Sequence, residues 1–152
     1  QVLVEVLAAR GLRGTDLQGY ANPYCIIYLK ATARRRRRQR PRGATYFCEK
    51  TVCPKWVDQR LVFTVPAAAA RSQRGYSLRV MILSRDFLRP NDLLGQAAVP
   101  LDLLLDQREH VGWFPLNQRA SRLMALSQMD KPGGCGSVQL RLQWVHTKTA
   151  LL

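Results

Sequence analysis

The residues of this chain that could do chemistry are mostly cations. Lys30, Arg34, Arg35, Arg36, Arg37, Arg38, Arg40 and Arg42 fall within one short stretch, KATARRRRRQRPR, and no Asp or Glu occurs between Leu17 and Cys48. A run of like charge repels itself and calls for solvent or an anionic partner. Guanidinium groups at this density suit phosphate oxygens, because each donates two parallel hydrogen bonds. The chemistry implied is capture of a polyanion, either a phospholipid surface or a nucleic-acid backbone. A solvated loop with no partner is the plain alternative. The chain carries 24 Lys and Arg against 10 Asp and Glu, a net charge of +14, so this one segment supplies more than half of the excess.

Other chemistries find little support. Cys25, Cys48, Cys53 and Cys135 form no CxxC pair, and His110 and His146 have no ligand-like spacing, so a zinc site is not expected. Reduced thiols acting as small hydrophobes are the expectation, which suits a cytoplasmic setting. No Gly-rich phosphate loop, nucleophile elbow or paired acid and base is visible, and an enzyme is not expected. Nucleic acid is the weaker polyanion candidate. No aromatic residue interleaves with the basic run, whose nearest rings are Tyr28 and Tyr46, and neither a zinc finger nor a recognition helix accompanies it. A short basic tract of this kind also serves as a nuclear localisation signal.

The elements that must carry the run read as strands. With 152 residues, 47% of them hydrophobic, the chain is the size of one domain with a real core, and its longest apolar stretches fall far short of a membrane span. Apolar and polar residues alternate over 2–8, 23–30, 44–52, 60–65, 76–83, 93–101, 112–116 and 137–145, with Gly and Pro between most of these segments. Two stretches look helical: 101–107, and 119–130, where Ala120, Leu123, Met124 and Ser127 recur at helical spacing. The expected fold is all-β, an eight-stranded antiparallel β-sandwich with a short helix inserted before the last strand. Trp56, Trp113 and Trp144 fall on or beside strands and are expected to pack in the core or at an edge. The chain opens on a strand-like sequence without an initiator Met, and we read residues 1–152 as one domain of a larger multidomain protein.

The order of motifs resembles a C2 domain over nearly the whole chain. VEVLAARGLRGTDLQGYANPY looks like the family's first strand and loop, TVCPKWVDQRLVFTV like its Thr-x-x-Pro-x-Trp segment, and SRDFLRPNDLLGQ like its third loop. The resemblance implies an eight-stranded sandwich with three loops at one end, where five acidic side chains of many members coordinate calcium. Matched residue by residue, Asp16, Asp86 and Asp92 keep acidic positions, while Asn22 and Ser84 replace the two central ones. Arg85 and Arg89 add positive charge to the same loop. Calcium needs six to eight hard oxygens, so we expect weak or absent binding and no required cofactor, with the three carboxylates bracing loops or capping turns.

The resemblance also implies a concave sheet face that recognises phosphoinositides, with Lys30 and Lys50 on flanking strands beside the arginine run. Leu17, Tyr20, Phe87 and Leu88 match positions that touch lipid in family members. The function expected is a peripheral membrane module in the cytoplasm, binding phosphoinositides or phosphatidylserine largely without calcium. Each basic residue near an anionic leaflet contributes ~1 kcal/mol. Docking of an acidic protein partner on the basic loop or on the 119–130 helix is the alternative.

Overall fold

A computed structural model describes residues 1–31, 41–66, 75–123 and 125–145. Within them the chain forms β1 (Val2–Arg10), β2 (Pro23–Ala31), β3 (Arg42–Ala44), β4 (Arg60–Phe63), β5 (Tyr76–Ser84), β6 (Asp92–Pro100), β7 (His110–Pro115), β8 (Ser121–Arg122) and β9 (Ser137–Trp144). They build two sheets, in the order β4-β1-β9-β7 and β3-β2-β5-β6-β8. Eight strands pair antiparallel, and the two-residue β8 adds a parallel edge to β6. This is the expected all-β sandwich.

Alternation sets the core. Val2, Val4 and Val6 of β1, with Leu140 and Leu142 of β9, face Cys25, Ile27 and Leu29 of β2 and Leu78, Val80 and Ile82 of β5, all of them buried. Side chains of period two put one face of each sheet inward, and burial of these β-branched and Leu residues is the main drive to fold. Trp56 and Trp144 are buried in the same core, while Trp113 lies partly exposed with the Arg10 guanidinium 4.0 Å over its ring. All four cysteines are free, and complete burial raises the pKa of the Cys25 thiol.

Two expectations fail. Residues 119–130 form no α-helix. Instead β8 lies along β6, Leu123 is buried and donates its N–H to the Ala98 carbonyl, and only Leu126–Gln128 makes a 3₁₀ turn. Met124 lies outside the described residues. Helix propensity is worth tenths of a kcal/mol per residue, less than covering an open sheet edge and burying a Leu. The second failure is the strand expected over 44–52, which stops at Ala44. There the Thr45 hydroxyl accepts the Cys25 N–H at 2.9 Å, so a side chain takes over one ladder bond, while the Thr45 and Cys48 N–H groups still donate to the Cys25 and Pro23 carbonyls. The 101–107 helix is shorter than expected, a 3₁₀ turn over Leu101–Leu104.

Strand pairing fixes which segments share an end. Pro23 of β2 lies opposite Ser84 of β5, so loop 1 (11–22) and loop 3 (85–91) emerge together. Ala31 lies opposite Tyr76 at the other end of the same pair. Eight residue steps at about 3.3 Å each separate the two ends of β2 by roughly 26 Å.

Candidate functional site

At the loop end, polar side chains are committed to one another. The Asp16 Oδ1 accepts the backbone N–H groups of Gln18 and Tyr20 at 2.9 and 2.7 Å, which closes loop 1. The same loop brings Gly14 against Gly19 so closely that a Cβ on Gly14 would overlap the Gly19 backbone. In loop 3 the Asp86 Oδ1 accepts the N–H groups of Leu88 and Arg89 at 2.8 and 3.1 Å. Asn91 accepts the Asp86 N–H at 2.9 Å and donates to the Tyr24 hydroxyl at 2.7 Å.

Asn22 and Ser84 join the loops. Ser84 is buried, and its hydroxyl accepts the Asn22 N–H at 3.0 Å and lies 3.1 Å from the Thr15 hydroxyl. The Asn22 side chain accepts the Lys50 N–H at 3.0 Å and donates to the Arg85 carbonyl at 3.3 Å. Asp92, the exposed first residue of β6, faces Ser84 across the ladder. Among the described residues no three His, Cys, Asp or Glu side chains come together, so Asp16, Asp86 and Asp92 do not form a cage. The central positions are neutral and already hydrogen-bonded, and Arg85 and Arg89 stand in the same loop. Calcium favours six to eight hard oxygens, and here two of the five matched positions offer neutral groups already engaged in hydrogen bonds.

Beyond that network the loops end in apolar side chains. Leu17 and Leu88 are fully exposed, Phe87 is 72% exposed, and Tyr20 is half exposed. Phe87 meets Phe47 edge-on at 6.0 Å, and the Arg85 guanidinium lies 5.6 Å from its ring centre. The four tip residues singled out from the sequence therefore share one end of the molecule.

The cations do not all gather in one place. Arg34, Arg35, Arg36, Arg37, Arg38 and Arg40 lie outside the described residues. Their flanks, Ala31 and Pro41, sit at the end of β2 away from the loops. Lys30 and Arg42 are at that end, but Lys50 is not. It lies in a loop at φ 46°, beside Asn22, rather than on a flanking strand. In the antiparallel register that pairs Ile26 with Ala44, residues after Ala44 run back toward Pro23 and the loops.

A third cation completes the far end, and sequence reading missed it. Arg79 of β5 faces Tyr28 of β2, which faces Arg42 of β3, making a row Arg42–Tyr28–Arg79 on the outer face of the five-stranded sheet. Lys30 lies two residues along, opposite Ser77. The Arg79 Nε is buried and has no hydrogen-bond partner among the described residues. The alternation in YSLRVMIL places Arg79 outward, a signal that could have found it. No Asp or Glu occurs on β2, β3 or β5.

The outer face of the four-stranded sheet is built differently, with Arg60 and Arg141 matched to acids. Arg60 lies 3.7 Å from Asp58 and 3.8 Å from Glu5, and Arg141 lies 2.6 Å from Glu5 and 3.2 Å from Glu109. The result is a ladder of alternating sign, Asp58–Arg60–Glu5–Arg141–Glu109, crossing the sheet. His110 on β7 pairs with Asp106 at 2.9 Å. His146 lies outside the described residues.

Comparison with known proteins agrees with this architecture. The family model for the C2 domain matches residues 1–116. The chain belongs to the C2 domain family. C2 domains serve as membrane-binding or protein-interaction modules. A C2 and GRAM domain-containing protein of Arabidopsis thaliana is 28% identical over 97% of this chain, which spans 12% of that protein's length. Among solved structures, a C2 domain of plant extended synaptotagmin 1 superposes with a TM-score of 0.67 at 20% identity, over 95% of each chain. Human GIVD cytosolic phospholipase A2 superposes with a TM-score of 0.69 at 19% identity, over 97% of this chain and 17% of its own. The C2 model ends just after β7, yet β9 lies between β1 and β7, so the fold is completed by residues beyond the matched span. No helix among the described residues is long and apolar enough to cross a membrane.

Proposed function

We propose that this C2 domain binds the surface of anionic membranes, largely without calcium, through the arginine run and the cationic end of its five-stranded sheet. The observation that carries this reading is the row Arg42–Tyr28–Arg79 with Lys30 beside it, on strands free of acid. The six arginines 34–38 and 40 lie in the sequence between Ala31 and Pro41, which are at that end of the sheet. Phosphate is the acceptor that arginine suits best. Phosphoinositides and phosphatidylserine are the lipids proposed, and the setting is cytoplasmic and peripheral to the membrane. Leu17, Tyr20, Phe87 and Leu88 add a shallow apolar contact.

Calcium has no role in this proposal, because Asn22 and Ser84 leave no acidic pair to hold it and hydrogen bonds already fix the loops. The test is sedimentation with phosphatidylcholine vesicles containing phosphatidylserine or a phosphoinositide, in EDTA and then in calcium. Binding in EDTA is expected. Replacing Arg34–Arg38 with Ala should lower it by at least tenfold, since each cation near the leaflet contributes ~1 kcal/mol. Full binding by that variant, or binding only with calcium, would refute the proposal.

A further inference from the structure

We infer that the outer face of the four-stranded sheet is a contact surface for a second copy of this chain, related to the first by a two-fold axis that runs along the strands, midway between β1 and β9. The inference stands apart from the lipid proposal, because it uses only the sheet that carries the alternating charges.

The order of charges selects the partner. Across the sheet, Arg60 of β4 lies opposite Glu5 of β1, Glu5 opposite Arg141 of β9, and Arg141 opposite Val111 of β7. The Glu109 carboxylate, just before β7, lies 3.2 Å from the Arg141 Nε. In strand order the signs run plus, minus, plus, minus. Reversing that order exchanges every sign. A symmetric pair demands such a surface, since residue i of one copy meets j of the other while j meets i. The axis between β1 and β9 sets Glu5 of each copy over Arg141 of the other, and Arg60 over the Glu109 side. An axis across the strands would set Glu5 on Glu5 and Arg141 on Arg141, and like charges that close repel. The five-stranded sheet is no match either, because β2, β3 and β5 hold no acid.

Apolar side chains stand between the charges. Leu3, Val62 and Val111 point outward on this face and are 38%, 58% and 45% exposed. A hollow of about 270 Å³ opens among Leu3, Val62, Glu109 and Gln143 and can seat a side chain of the second copy. The pairs Arg141–Glu5 and Arg60–Glu5 already hold the long side chains in place, so association has less left to order than on a free surface. Four strands at ~4.8 Å spacing make a face roughly 19 Å wide, and β4 covers only four residues of its length. Such a face is smaller than the ~800 Å² that each partner buries in a standard interface. The pair is therefore weak and reversible.

Sedimentation equilibrium tests it at ~0.15 M salt, where the net charge of +14 is screened beyond about 8 Å. Reductant is present, because Cys53 is free and exposed. The parent is expected to dimerise across a concentration series reaching hundreds of micromolar. Val62 is level with Leu3 and Gln143, and so lies over Glu109 of the second copy. Val62→Glu is expected to weaken the dimer by about tenfold, because like charges then meet twice in a symmetric pair. Val62→Lys, at the same exposed position, should leave it no weaker than the parent. Glu5→Arg and Arg141→Glu should each stay monomeric alone and dimerise when mixed, as every rung then meets its opposite. Circular dichroism confirms that each variant is folded, and should either swap unfold, the two Val62 variants decide. A parent that stays monomeric throughout overturns the proposal, as do equal losses from Val62→Glu and Val62→Lys. Two folded swap variants that remain apart when mixed overturn the axis, and the second copy as partner with it.

Discussion

Asn22 closes loop 1 and Ser84 ends β5 just before loop 3, and the two segments hold each other, the Asn22 N–H donating to the Ser84 hydroxyl at 3.0 Å while the Arg85 N–H returns to the Asn22 carbonyl at 2.9 Å. Neutral side chains thereby do what the resemblance assigns to a shared metal ion: they keep loops 1 and 3 together. Carboxylates at the same two places would repel each other and need a cation between them.

Removing the hydroxyl tests this staple. Ser84→Ala leaves the Asn22 N–H without its acceptor in a half-buried site. The expected cost is about 1–3 kcal/mol, read from urea melts, with little change in the slope. A loss below ~0.5 kcal/mol would mean that the loops do not depend on it.

Returning the acids tests the reasoning in the opposite direction. The double variant Asn22→Asp, Ser84→Asp is expected to be less stable than the parent in EDTA, because it sets two charges close together, one of them in the buried Ser84 position. Millimolar calcium should then raise its melting temperature by several degrees while leaving the parent unmoved, since an ion that binds only the folded state stabilises it. An equal response from both chains would contradict the account.

Glu5 is the keystone of the four-stranded face, with Arg141 and Arg60 on either side and its own side chain only 15% exposed. Glu5→Ala is expected to destabilise by about 1–3 kcal/mol, because it strips a charge-assisted bond and leaves Arg141 with Glu109 alone. Glu109→Ala, at a more exposed site, should cost under ~1 kcal/mol. Thermal melts of the two variants side by side rank them, and equal losses would show that the ladder has no centre.

Acid should weaken the turn before β7. The hydrogen bond from the His110 ring lowers the pKa of the Asp106 carboxyl below its usual value, and the Arg108 backbone N–H adds to the effect. A carboxyl whose folded pKa is depressed stabilises the fold above its unfolded pKa, and that contribution is lost as pH falls through the folded value. Asp106→Asn is therefore expected to melt lower than the parent at pH 6, with the difference closing below about pH 4. A gap that stays constant from pH 6 to pH 3 would disprove the assignment.

The strands were legible because alternation and burial agree: in PYCIIYLK the buried Cys25, Ile27 and Leu29 are separated by half-exposed Ile26 and Tyr28. Residues 119–130 were not, since nothing local announces that β6 has an open edge waiting for Ser121 and Arg122. Thr45 hid the end of β3, because its hydroxyl replaces a backbone partner only once β2 lies beside it. Loop 1 and loop 3 were located from their motifs, but their bonding pattern needed the two loops side by side. Arg79 went unmarked for the opposite reason: one arginine draws no attention in a chain so rich in them, and its role appears only from its neighbours Tyr28 and Ala98 across the sheet.

The alternating ladder on the four-stranded sheet has a kinetic consequence. With one broad side electrically balanced and the other carrying Arg42, Arg79 and Lys30 on strands without acid, the molecule carries a dipole across the thickness of the sandwich. In the field of an anionic surface such a body is turned before it arrives, and fewer encounters are wasted on the wrong side. Added salt should then slow association more than it hastens escape, and swapping the signs of a single rung would blur the approach without touching a residue at the point of landing.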